Sequence, residues 1–261
     1  MLRLNLWFNL YIKAFRSDDP DYQRNIDLKE EHTRRVCDEI LDISEHLKLD
    51  ESDRMIAEVI ALFHDVGRFE QYMLYKTFAD AKSENHALLG IKVLCEHGIL
   101  DGIEPELRFL IVRSIYHHNR LSIPESESGR SIFFSRLLRD ADKLDIWRVV
   151  TEYYHQSDGL KNGGIELDLP DLPGISDEVT SALMEEKIVN MKALKTLNDF
   201  KLLQMGWIYD IHFTRTFQLI RERNCLEKIR AVLPNSEEID RIYTKVKNYL
   251  DTKCMDSEKV R

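Results

Sequence analysis

Apolar residues recur at three- and four-residue intervals through most of this chain, and no alternating strand pattern persists, so the amphipathic helix is the expected element. With only 10 glycines and 6 prolines in 261 residues, few positions interrupt it. Periodicity and breaker signals predict helices over 28–48, 52–65, 84–97, 104–118, 130–154, a broken stretch over 177–222, and 236–252. The N-terminal MLRLNLWFNLYIKAF has the apolar weight of a signal segment. However, Asn5, Asn9 and Lys13 interrupt it and no small-residue cleavage site follows, so it reads as a docking helix. From Asp158 to Ser176, four glycines and two prolines mark a long connection of the lid or ligand-loop kind. SDDPDY around Pro20 and SIPESESG around Pro124 read as shorter surface connections. The expected architecture is one all-α domain over 1–261, with C-terminal helices over 177–252 packing on a core over 26–155.

Composition narrows the function. At 43% hydrophobic the chain can bury a real core, and a formal charge of -9 argues against a nucleic-acid polymer or an anionic membrane as main partner. A local basic pocket for a small phosphorylated ligand is compatible with that balance. Cys37, Cys95, Cys225 and Cys254 form no C-x-x-C pair, so neither a zinc ribbon nor a thioredoxin-type site is suggested, and they suit reduced thiols in a cytoplasm. No stretch approaches the roughly 20 apolar residues of a membrane span.

The chemistry lies on the inward helix stripes. His32 shares a stripe with Leu28, Val36, Ile40, Ile43 and Leu47. On the next helix His64 continues the Ile56, Val59, Ile60, Phe63 face, and Asp65 follows it. Neighbouring helix positions differ by about 100°, so this pair can approach one point from two sides. A partly buried aspartate there needs a cation or strong donors. His86 heads a stripe with Leu89, Val93 and Leu94; His118 ends one with Leu107, Ile111 and Ile115; Asp142 lies with Phe134, Leu138, Ile146 and Val149. Six candidate ligands on five predicted helices, all on core-facing sides, suit a metal centre better than packing. From the stripes alone, His117 competes with its neighbour His118, and Asp140 with Asp142.

In order, His32, His64-Asp65, His86, His118 and Asp142 resemble the H…HD…H…H…D pattern of the HD superfamily. KEEHTRRV, ALFHDVGRFEQ, TFADAKSENHALLG, IYHHNR and RDADKLDIW resemble its bacterial members, over roughly residues 26–149. The resemblance implies an HD-domain helical bundle at 26–155 and a cytoplasmic phosphohydrolase. His32, His64 and Asp142 would hold a first divalent metal, with Asp65 bridging and His86 and His118 completing a second site. It favours His118 through its place after Ile115 and before Asn119, and Asp142 through its A-D-K-L context. Two-metal activation of water would then cleave a phosphomonoester or phosphodiester, such as a nucleotide or small metabolite. Asp65 and Arg68 would be catalytic, with Arg68, His117 and Lys143 on substrate; Arg139 is a further phosphate candidate. Mixed histidine and carboxylate ligands suit Fe, Mn, Co, Ni, Zn or Mg. The chain lacks the E-x-x-D-G-x-G-Y-P run of cyclic-di-GMP phosphodiesterases and the acidic pair after HD found in alarmone hydrolases, so neither substrate is favoured. A di-iron oxygenase and a non-catalytic ligand-binding domain are the alternative readings. The expected partner is a small phosphorylated substrate, and a homo-oligomer is compatible with the sequence.

Overall fold

The computed structural model describes residues 1–155 and 163–258, so the predicted loop segment 158–162 lies outside the described residues. The chain divides into two compact units, residues 1–142 and 143–261.

In the first unit, α1 (Leu2–Lys13) buries Leu4, Phe8 and Ile12, one residue per turn, and packs on α3 (Glu51–Phe63). Two of the polar residues that break its apolar run serve the docking: Arg34 lies over the Phe8 ring and donates to Asn5 Oδ1 and Asn9 Oδ1. α2 (Pro20–His46) begins eight residues before the predicted start. Pro20 takes the first helical position and Asp19 accepts from the amides of Asp21 and Tyr22, so the segment expected to be a connection is a helix cap. α2 packs along α3, which Asp50 caps.

α4 (Gly67–Tyr75) was not expected, and it follows α3 after only three residues. It packs against α5 (His86–Glu96), where Gly67 and Gly90 meet. A Cβ on Gly67 would lie 2.3 Å from His86 O and 2.4 Å from Gly90 N, so glycine sets the closeness of this crossing. Between the two helices runs a short 3-10 turn, Asp80–Lys82. α6 (Pro105–His117), with Pro105 in its first turn and Glu104 as cap, packs on α3 and α5. α7 (Gly129–Tyr154) runs across the boundary between the units.

The second unit holds α8 (Gly163–Glu166), α9 (Asp177–Met184), α10 (Leu197–Gly206), α11 (Thr214–Glu222), α12 (Cys225–Ala231) and α13 (Glu237–Glu258). The stretch predicted as broken does break, and α10 restarts it with a reciprocal capping box between Thr196 and Asp199. α13 packs on α9, α11 and α12. The buried Trp147 indole donates to Gln204 O at 2.9 Å. No strand occurs among the described residues, and the fold class is all-α. None of the described helices is long and apolar enough to cross a membrane.

Candidate metal centre

Five helices deliver the six predicted ligands to one place in the first unit. His32 projects from the middle of α2, while His64 and Asp65 occupy the turn that ends α3. His86 is the first residue of α5, His118 follows the last turn of α6, and Asp142 lies midway along α7. Ligand atoms of His32, His64 and Asp142 lie within 4.8 Å of one another, as do those of Asp65, His86 and His118. Asp65 joins the two groups. Its Oδ2 is 3.6 Å from His32 Nε2 and 3.8 Å from His64 Nε2, and its Oδ1 is 3.4 Å from His86 Nε2 and 3.8 Å from His118 Nε2. Asp142 Oδ1 closes the first group at 3.1 Å from His32 Nε2.

Hydrogen bonding on the far side of the rings fixes what they present inward. Nδ1 of His64 donates to Ala61 O at 2.7 Å, Nδ1 of His118 to Ile115 O at 2.6 Å, and Nδ1 of His86 to Asp80, with both carboxylate oxygens at 2.9 Å. With oxygen acceptors at Nδ1, the assigned proton sits there and Nε2 carries a lone pair. Nε2 of His86 and His118 nevertheless face each other at 2.9 Å, and those of His32 and His64 at 3.3 Å. For His86 and His118 this sets two lone pairs against each other, and they repel. Two ligands about 2.1 Å from a shared ion stand roughly 3.0–3.4 Å apart for bond angles between square and tetrahedral, so the donor set fits a metal cation.

The electrostatics suit the same occupant. Burial pushes His64 down to about 4, against Asp65 and Asp142, which favour its charged form. Burial and then Arg68 push His86 down to about 3. Both rings are therefore neutral at neutral pH, the form that ligates. For Asp65 burial acts upward, yet Lys29, His64 and Arg68 outweigh it and hold the carboxyl well below the usual range. Asp142 is likewise lowered: burial opposes, while the His32 hydrogen bond and His64 prevail.

Two residues around these ligands went unnoticed in the sequence. Lys29 Nζ lies 2.9 Å from Asp65 Oδ2 with its side chain 16% exposed; its signal was its place three residues before His32, on the same helix face. Asp80 binds His86 and also accepts from Arg68, Gln71 and Asn119; no periodicity marks it, because it sits in a turn.

The remaining predicted site residues separate. Arg68 is beside the centre: Nε is 3.4 Å from Asp65 Oδ1, and Nη1 donates to Gln71, Phe78 O and Asp80. His117, expected on substrate, is turned instead to Glu127 Oε1 at 2.9 Å, with Arg113 on the same oxygen. His118, not His117, therefore joins the metal-ligand group, because consecutive residues leave a helix end in different directions. Lys143, also expected on substrate, is buried in an ion pair with Asp210 at 2.7 Å. Arg139, the further phosphate candidate, donates to the carbonyls of His117, His118 and Arg120, closing the end of α6 beneath His118. Asp140 is buried outside both ligand groups.

No curated protein and no solved structure matches this chain. The model of the HD domain family matches residues 30–147, a span that contains all six candidate ligands. HD domains are commonly metal-dependent hydrolases, and the two histidine–aspartate groups suit divalent metal ions. Residues 30–147 thus match the model of an HD domain, and the clustered histidines and aspartates are compatible with its metal site.

Proposed function

We propose that this protein is a metal-dependent phosphohydrolase acting on a phosphomonoester or phosphodiester, a nucleotide or another small phosphorylated metabolite. The observation that carries the reading is Asp65, whose two carboxylate oxygens each face a different histidine group. His32, His64 and Asp142 would hold one divalent ion, His86 and His118 a second, and Asp65 would bridge. Bound there, such ions supply Lewis acidity toward phosphoryl oxygens and a water of lowered pKa.

The chain's own residues account for the rest. Neutral His64 and His86 offer lone pairs, while the ionised Asp65 and Asp142 offset positive charge. Lys29 approaches one oxygen of Asp65 and Arg68 the other, so two cations flank the bridging carboxylate. Arg68 is held by three bonds at Nη1, and its Nη2 makes no hydrogen bond among the described residues, which leaves that donor for a substrate oxygen. Preorganised cations of this kind stabilise the charge that develops in phosphoryl transfer.

The test is a screen of phosphorylated metabolites against purified protein supplied in turn with manganese, nickel, cobalt and iron. Release of inorganic phosphate, or of a monoester from a diester, is the expected outcome. Absence of hydrolysis under every metal, with oxygen consumed in the iron samples, would replace the reading with the di-iron oxygenase.

A further inference from the structure

His64 and His118 both stand at the C-terminal end of a helix, and each bonds through Nδ1 to the carbonyl three residues earlier, of Ala61 and Ile115. That acceptor comes with the helix itself. His86 is different, because it opens α5 and has no preceding helical turn to supply a carbonyl. Its Nδ1 is met instead by Asp80, at 2.9 Å from both oxygens. Asp80 is in turn oriented by Arg68 Nη1 at 3.1 Å, Gln71 Nε2 at 2.9 Å and Asn119 Nδ2 at 3.1 Å.

We infer that Asp80 is the positioning residue for the second metal position: it fixes the His86 ring with its proton on Nδ1 and its Nε2 lone pair toward Asp65 and His118. A carboxylate partner also makes the imidazole a stronger donor than a carbonyl partner does, through a charge-assisted bond. The Asp80 carboxylate is bonded to His86, Arg68, Gln71 and Asn119, so removing it acts first on the His86 half of the centre. The inference rests on the metal-centre reading above, and its first readout needs no metal.

Nitrogen-15 NMR of the metal-free protein reports the ring tautomer, and equilibrium dialysis with manganese(II) reports stoichiometry and affinity. In the wild-type chain His86 is expected as the Nδ1–H tautomer, with two manganese ions bound. In Asp80→Ala the His86 signals should shift toward the Nε2–H form, and the second ion should bind about 10- to 100-fold more weakly while the first is unchanged. Asp80→Asn keeps an acceptor oxygen without the charge, so it should retain the tautomer and lose part of the affinity. This second variant separates ring orientation from simple loosening of the turn. An unchanged His86 tautomer with two ions held at wild-type affinity in Asp80→Ala would overturn the role of Asp80 and leave the hydrolase reading standing. A wild-type chain that takes up no manganese, nickel, cobalt or iron would overturn both.

Discussion

Asp65 is 3% exposed and within 4 Å of four imidazole nitrogens and two cationic side chains, so its charge is shared among partners that no single packing role requires. Asp65→Asn keeps its volume and removes that charge. If Asp65 only filled space or capped a turn, the change would cost on the order of 1 kcal/mol and spare activity. As a bridge, it predicts a fall in turnover of two or more orders of magnitude together with lower metal content, read by steady-state kinetics and elemental analysis. Lys29→Met removes a charge that touches Asp65 without removing a ligand. Metal content should hold while kcat/KM for a phosphate ester drops about 10- to 100-fold, the scale of one lost charge-assisted contact. Loss of metal in Lys29→Met would make the lysine part of the scaffold instead. Position in the motif made the six clustered side chains legible, since each stands on an inward stripe. Lys29 lay within the recognised KEEH text yet its partner is 36 residues away, and Asp80 binds Asn119 across 39, distances over which local pattern carries no signal.

At the scale of elements, the long helices were legible because their apolar stripes are long, whereas α4 has nine residues and no side-chain cap to announce its start. The early start of α2 was hidden by a proline that reads as a breaker until its place at the first helical turn is known. What α4 contributes is its approach to α5, which brings His86 toward the end of α3. Gly67→Ala tests this, because its Cβ would meet backbone atoms of His86 and Gly90, which have no flexible end to yield. The expected cost is roughly 2–3 kcal/mol by urea denaturation, as for other overpacked sites, with weaker binding of the second metal. A variant with unchanged midpoint and metal affinity would mean that the crossing is looser than the structure has it.

For the whole molecule, the all-α class and the HD span were legible, since 30–147 falls inside the segment that carries the recognised motifs. The division at residue 142 was not, because α7 runs unbroken through it and no change of composition marks the point. The buried histidines set a pH dependence on the metal-free chain. His64 and His86, at about 4 and 3 when folded against an ordinary 6.5, bind fewer protons in the fold than in the unfolded chain between those values. Stability should therefore rise with pH from about 4 to 6.5, and Tm should rise less steeply in His64→Gln than in wild type. Equal slopes would place His64 in a more solvated setting than the structure gives it. Anomalous diffraction at the manganese edge, from crystals of the reconstituted protein, decides whether two metals share Asp65. Two peaks are expected about 3.5–4 Å apart, one among His32, His64 and Asp142 and one beside His86 and His118, with Asp65 between them; manganese bound elsewhere, or none at these six side chains, would rule out the shared site.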